Sequence, residues 1–516
     1  MGKESRTHKT LLNIKVNFIF YFMTILISFL SRKIFLENLG NDFIGLTGTL
    51  GSILGLLNFA ELGIGTAISF TLYKPLFEQN KQQINEIISI FGYLYRNIGL
   101  FILALGIIVS FFLPKIFNET NLPLFLIYFA YYSFLLSSLA TYLINYRQVI
   151  LGADQKNYIV TGYYQTSLIV KNIIQLLVCS YTNNYYLWLI IEFIFGFVYC
   201  FIVNWKIDQT YPWLNTNIKL GKQLLNNYPI IVTKIKQVFT QRIAFTVLGQ
   251  VTQPLIYTYS SLQMVALYGN YVLIIDRIAS LLNMTMSGIT SSIGNLVAEG
   301  NTKNLMKVFW ELRAFRYWGA FIIVYAINYL IEPFITLWLG ESYILQKEIL
   351  YVILFNIFLQ QTRLVVMQFT NAHGLFQDVW SPIAESIITI LFSVVLGKLW
   401  GITGVLLGTT ISLIIIFCLW KPYFLYKNGF KLPVYSFYIK TFVFVFLSSA
   451  VWFIFHQLLP YITINAYKDF TQWILYSLVI VIPYSIITWI LYYLFTQGMR
   501  DFSKRIFILV KNALNK

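Results

Sequence analysis

Long apolar stretches recur along this chain from Asn13 to Phe495, and they constrain its fold more than any other feature of the sequence. Each is roughly 20 residues long, which as a helix is enough to cross about 30 Å of hydrocarbon. Strands of a membrane barrel would instead alternate apolar and polar residues, whereas runs such as 91–113 are apolar at many consecutive positions. The sequence therefore predicts an all-α polytopic membrane protein.

The composition supports lipid as the main solvent. Hydrophobic residues make up 58% of the 516 residues and charged residues only 11%. A soluble domain needs a larger charged surface than this chain can build. The formal net charge of +17 is scattered over short loops and forms no single basic face, so we expect anionic membrane lipids as partners and no nucleic acid.

We predict fourteen membrane spans. They begin near Asn13, Phe43, Phe91, Leu122, Tyr158, Tyr185, Tyr228, Leu262, Leu312, Lys347, Pro382, Gly401, Ser436 and Phe470. With this count, about 25 Lys and Arg residues outside the spans lie on one side of the membrane and about 6 on the other. Because basic residues accumulate on the cytoplasmic side, this bias predicts that both termini are cytoplasmic.

Charged residues at membrane depth are the candidate functional residues, because each costs a few kcal/mol unless it faces a polar cavity or a partner. The basic ones are Lys171, Lys234, Lys236, Arg242, Arg277 and Arg363. Arg242 and Arg277 fall near the middle of the seventh and eighth predicted spans. A cationic cavity indicates an anionic cargo, and the planar fork of arginine suits phosphate.

Acidic residues in the predicted spans raise the question of ion coupling. Glu61 lies in a segment rich in small residues, where helices can approach closely or break. It either pairs with a basic side chain or binds a proton or sodium ion, and the same two interpretations apply to Asp276. No other cofactor is indicated.

Motifs for catalysis are absent from the sequence. There is no Asp-x-Asp pair, His-Glu-x-x-His, Walker loop or Gly-x-Ser-x-Gly. We therefore expect a transporter and neither an enzyme, an ATP-driven pump nor a metal site.

Several segments occur in an order that covers nearly the whole chain. They are 61–65 with 72–76, Gly152-Ala153-Asp154-Gln155-Lys156-Asn157-Tyr158, Tyr268-Gly269-Asn270-Tyr271, 292–298, Pro382-Ile383-Ala384-Glu385 and 401–412. Together they resemble the bacterial polysaccharide lipid flippases, MATE-like oligosaccharide exporters of the superfamily that also contains multidrug and toxin extrusion transporters.

The resemblance implies two six-helix lobes around a central cavity and two further C-terminal helices. The corresponding ranges are 1–227 for helices 1–6, 228–430 for helices 7–12, and 431–516 for helices 13–14 and the cytoplasmic tail. It also implies alternating-access transfer of an undecaprenyl-pyrophosphate-linked oligosaccharide across a bacterial cytoplasmic membrane, in the same pathway as a polysaccharide polymerase. The pyrophosphate would then bind Arg242 and Arg277.

Three alternatives remain open. A drug or cation antiporter of the same fold would favour acidic residues in its cavity, whereas the central residues here are arginines. A membrane-embedded polymerase or ligase would need a sizeable outer loop with catalytic residues, and the outer loops here are short. A scramblase without coupling is also compatible with the sequence.

Overall fold

The computed structural model describes residues 6–58, 64–154, 156–233, 235, 249–287, 293, 296–297, 301–375, 377–378 and 380–514. These residues form helices and connecting turns, and no β-strand occurs among them. The predicted all-α class is confirmed. Within the part of the chain described, ten helices are long and apolar enough to cross a membrane, so the protein is a multi-pass membrane protein.

The chain divides into two compact units, unit 1 at 1–266 and unit 2 at 267–516. Unit 1 contains α1 (Arg6–Leu57), α2 (Ile64–Glu78), α3 (Lys81–Ser110), α4 (Leu124–Ile144), α5 (Asn157–Thr182), α6 (Tyr185–Thr210) and α7 (Thr252–Tyr259). Short helices Leu113–Ile116, Val149–Ala153 and Gly221–Leu225 lie between them. The next helix, α8 (Leu262–Ser287), begins in unit 1 and continues in unit 2.

Unit 2 continues with α9 (Thr302–Trp338), α10 (Lys347–Ala372), α11 (Trp380–Leu413), α12 (Tyr435–Leu458), α13 (Phe470–Phe495) and α14 (Gln497–Leu514). Between α11 and α12 the chain stays helical through the π-helical segments Ile414–Trp420 and Tyr426–Phe430, which flank Lys421–Leu425. The long helix α9 packs against α10, α13 and α14, and its apolar face forms much of the core of this unit.

Two of the long helices contain a break at a glycine. In α1 the break is at Gly40, with φ +77°, and in α11 it is at Trp400 and Gly401, with φ +57° at the glycine. Glycine adopts positive φ without the steric cost that a Cβ imposes. These breaks lie close to the predicted starts of the second and twelfth spans at Phe43 and Gly401. The total of fourteen spans, and the predicted lobe boundaries, remain predictions.

The helix that contains the ninth predicted span begins before the apolar run. We expected a start near Leu312, but α9 begins at Thr302, where Asn301 caps it by accepting a hydrogen bond from the Asn304 backbone N–H at 3.0 Å. Arg313 and Arg316 are two of the basic residues that the predicted topology counts on the cytoplasmic side. Both lie within this helix, and their side chains are buried.

Within unit 1, α5 packs against α1 and α6, and α4 packs against α6 and α3. The interface of α4 with α6 is tight because Gly196 faces Ser137, and a Cβ at this glycine would collide with the serine hydroxyl. This packing brings parts of α1, α4, α5 and α6 around one cavity.

Candidate substrate cavity

A polar cavity of about 660 Å³ lies in unit 1. Its walls come from 51–57 of α1 with the following Asn58, 134–141 of α4, 160–171 of α5 and 192–199 of α6. A cavity of this size lies within the usual range for small-ligand sites, roughly 300 to 1,000 Å³. The polar groups that line it therefore determine what it can bind.

The polar wall of α5 follows from its sequence. Thr161, Tyr164, Gln165 and Lys171 line the cavity. Tyr164 and Gln165 follow Thr161 by three and four residues, and Lys171 follows Tyr164 by seven, so these side chains lie on one face of the helix. Gln175 continues that face one turn beyond Lys171. This polar stripe within a membrane helix is a signal that sequence inspection can find.

An ion pair lies in the wall of the cavity. Lys171 Nζ lies 2.7 Å from Glu192 Oε1, joining α5 to α6, and the side chains are 13% and 21% exposed. Gln175 Nε2 donates to the other carboxylate oxygen, Oε2, at 3.0 Å, and to the Trp188 carbonyl at 3.2 Å. The carboxylate thus accepts hydrogen bonds from a cation and an amide, which offsets the cost of placing charge at membrane depth.

Hydroxyl, amide and aromatic groups form the remaining polar lining. Tyr199 donates to Gln148 Oε1 at 3.0 Å, and Ser138 donates to Asn58 Oδ1 at 3.4 Å. The rings of Tyr164 and Tyr199 meet edge to face with their centres 5.1 Å apart. These neutral donors and acceptors, together with apolar ring surface, suit a hydroxyl-rich ligand such as a sugar.

Unit 2 buries a second set of charges. Arg363, on α10, lies 3.4 Å from Glu385 Oε1 of α11, and its guanidinium lies 4.4 Å from the centre of the Phe417 ring. Arg363 also lines a small groove of about 230 Å³ that includes Arg313. Arg313 donates to Tyr317 and Thr441 at 3.0 and 2.8 Å.

The guanidinium of Arg316 is held by hydrogen bonds to other groups of the protein. Its guanidinium donates to the backbone carbonyl and side-chain oxygen of Gln361, at 2.8 and 2.6 Å, to the Leu282 carbonyl at 2.8 Å, and to the Asn283 side chain. This arginine therefore ties α9 to α8 and α10. A role in holding the helices together accounts for its burial.

The sequence-predicted site residues are thus distributed as follows. Lys171 lies in unit 1 and is paired with Glu192, and Arg363 lies in unit 2 and is paired with Glu385. Arg277 is half-buried and Asp276 exposed, both near the middle of α8. Lys234, Lys236, Arg242 and Glu61 lie outside the described residues. Binding of substrate or coupling ion by any of these residues remains a prediction.

Comparison with solved structures bears on the fold that carries this cavity. The lipid II flippase MurJ, in an inward closed conformation, superposes with a TM-score of 0.63, at 15% identity over 92% of this chain and 98% of that chain. An inward-facing multidrug resistance MATE family transporter of the MOP superfamily superposes with a TM-score of 0.56, at 12% identity over 79% of this chain and 95% of the other.

The chain has the MurJ and MATE transporter fold. The resemblance to MATE-like lipid flippases is confirmed at the level of the fold. No family model and no curated protein sequence matches the chain. The MurJ/MATE fold accounts for helices along nearly the whole length, and the residues that line the cavity must indicate the cargo.

Proposed function

We propose that this protein flips an undecaprenyl-pyrophosphate-linked oligosaccharide across the bacterial cytoplasmic membrane by alternating access. The cargo would be a repeat unit of O-antigen, capsule or exopolysaccharide, moved from the cytoplasmic to the outer leaflet. The observation that carries the proposal is the polar cavity of unit 1, which is built inside membrane helices and presents uncharged donors, acceptors and tyrosine rings beside apolar surface.

The lining favours an oligosaccharide over a lipophilic cation. Its acidic residue, Glu192, is already paired with Lys171 at 2.7 Å, so the pair presents little net negative charge to a cationic drug. Gln148, Thr161, Gln165 and their neighbours instead offer hydrogen bonds that a sugar can exchange for those of water. Selectivity by hydrogen bonding is strong because unpaired polar groups in such a site are costly.

The pyrophosphate needs cationic groups outside this sugar-lined region. We assign this role to Arg277 and Arg242, since Arg277 is half-buried in the middle of α8 and arginine forms paired hydrogen bonds with phosphate oxygens. Lys234, Lys236 and Arg363 extend the same cationic set in the proposal. Coupling to a proton or sodium ion through Glu61 and Asp276 belongs to the proposal too.

A flipping assay in liposomes tests this assignment. Purified protein is reconstituted with a fluorescent undecaprenyl-pyrophosphate oligosaccharide, and exposure of the dye to a membrane-impermeant quencher is followed over time. Arg242→Ala and Arg277→Ala are compared with Arg500→Ala, which removes an exposed arginine of α14 outside the spans. We expect the first two variants to lose most of the transfer rate and the control to keep it. Equal rates in all three would remove the two arginines from the mechanism.

A drug antiporter is the second candidate, because the same fold occurs in a multidrug MATE transporter. The same liposomes loaded with a fluorescent cationic dye distinguish the two functions. Dye efflux that depends on an ion gradient, together with no transfer of glycan lipid, would favour the antiporter.

A further inference from the structure

A separate cavity of about 470 Å³ lies in unit 2, where α9 and α12 begin and α13 meets α14. Among its described lining residues, Lys303, Lys307 and Lys440 are basic and Asp501 is the one acidic residue. The basic-residue bias of the sequence assigns all three lysines to the cytoplasmic side of the membrane. None of these residues belongs to the polar cavity of unit 1.

The charges of the described lining residues do not balance. Lys307 Nζ lies 3.6 Å from Asp501 Oδ1, so one lysine has an acidic partner. No ion pair joins Lys303 or Lys440 to an acidic group among the residues that the structure describes. The described part of the lining therefore carries an excess of positive charge, as a site for an anion requires.

Trp310 positions one of these two lysines. Its ring lies under Lys440, with Nζ 4.9 Å from the ring centre, which holds the ammonium at the cavity.

The rest of the lining is largely apolar. Met306, Leu432, Val443, Phe444 and Phe495 surround the lysines, and they belong to or border membrane-spanning helices. A free inorganic anion would gain nothing from these side chains. A ligand that joins a phosphate to hydrocarbon would use both parts of the lining.

We propose that this cavity binds an anionic phospholipid of the cytoplasmic leaflet, with its headgroup phosphate at Lys303 and Lys440 and the first acyl carbons against the apolar lining. Basic cavities between membrane helices on this side are suited to anionic headgroups. The inference does not depend on the transported cargo.

Native mass spectrometry of the full-length protein in detergent tests this site. The protein is titrated with phosphatidylglycerol or phosphatidylcholine, and a Lys303→Gln/Lys440→Gln variant is compared with the wild type. Each lysine near an anionic lipid contributes about fivefold in affinity, so we expect the double variant to bind phosphatidylglycerol about 25-fold more weakly. Binding of phosphatidylcholine should be weak and the same in both proteins.

Two further double variants test whether the loss of phosphatidylglycerol binding depends on the charge and the position of Lys303 and Lys440. Lys303→Arg/Lys440→Arg keeps both charges and should retain the affinity for phosphatidylglycerol. Lys219→Gln/Lys222→Gln removes two exposed lysines from the other unit and should leave it unchanged. An equal loss in this control pair, or equal binding of the two lipids by the wild type, would overturn the proposal. Displacement of phosphatidylglycerol by millimolar inorganic phosphate would show a site for free anions and overturn the lipid assignment.

Discussion

The ion pair between Lys171 and Glu192 gives the most specific prediction about the polar cavity. A double-mutant cycle uses Lys171→Met, Glu192→Gln and the combined variant. Lys171→Met removes the ammonium and leaves Glu192 with the Gln175 amide as its described hydrogen-bond donor. Glu192→Gln keeps the shape of the side chain and removes its charge. The combined variant contains neither charge.

The expected loss in the free energy of unfolding follows from the distance between the two charges and from their burial. At 2.7 Å, two unit charges in surroundings of effective dielectric constant 20 attract by about 6 kcal/mol. Desolvation of the two ions, which costs several kcal/mol per ion when burial is complete, offsets most of this attraction. Because both side chains keep some exposure to the cavity, we expect each single variant to lower the free energy of unfolding by about 2 kcal/mol. The coupling energy should be about 1–3 kcal/mol.

Chemical unfolding of the purified proteins in detergent, followed by tryptophan fluorescence, measures the free energies of unfolding that the cycle compares. The combined variant should be less destabilised than the sum of the two single variants. Additive effects, with a coupling energy near zero, would refute the reasoning, because they would mean that the two charges do not stabilise each other.

Three other predictions test the fold and its orientation. Gly45→Ala should destabilise the protein by about 1–3 kcal/mol, because its Cβ would collide with the carbonyl at the start of α8. Gly51→Ala has open space around it inside a helix and should be neutral or stabilise by up to about 1 kcal/mol in the same thermal unfolding assay. Arg316→Met should destabilise by about 3 kcal/mol or more, measured by unfolding, because it removes the described donor of the buried Gln361 side-chain oxygen and the hydrogen bonds to the Gln361 and Leu282 carbonyls; a change below 1 kcal/mol would contradict its role in joining helices. In a cysteine-free background, Lys398→Cys should react with an impermeant maleimide from outside the cell and Lys427→Cys only after lysis; the reverse pattern would invert the predicted topology.

Much of the helical architecture was predictable, since hydropathy reports directly on the lipid environment that a membrane helix must satisfy. The predicted starts at Tyr185, Leu262, Lys347 and Phe470 coincide with the first residues of α6, α8, α10 and α13. These helices begin where an apolar run begins, so local composition is sufficient to locate them.

The start of a helix differs from the start of its apolar run where charged residues lie inside the helix. The hydropathy pattern places Arg313 and Arg316 at the edge of a span that begins near Leu312, although α9 begins ten residues earlier, at Thr302. The partners that make their burial tolerable are remote in sequence, such as Gln361 and Thr441. A local pattern carries no information about such contacts.

The candidate site was predictable in part. Lys171 was predicted as a charge at membrane depth, Glu192 lies seven residues after the predicted start of the sixth span at Tyr185, and the polar face of α5 has helical spacing. Their pairing depends on how α5 packs against α6, which only the folded structure supplies. Likewise, the lysine cavity of unit 2 joins residues near 303, 440 and 501 that have no relation in the sequence.

The measurement that tests the proposed function most directly compares three cargoes in one set of liposomes. The transfer rates of the undecaprenyl-pyrophosphate oligosaccharide, of undecaprenyl pyrophosphate without sugar, and of a fluorescent phosphatidylcholine are measured with purified protein and with protein-free vesicles. We predict rapid transfer of the first, much slower transfer of the second and only the protein-free rate for the third. Equal acceleration of all three lipids would contradict the account, because it would identify a scramblase that recognises neither the sugar nor the pyrophosphate.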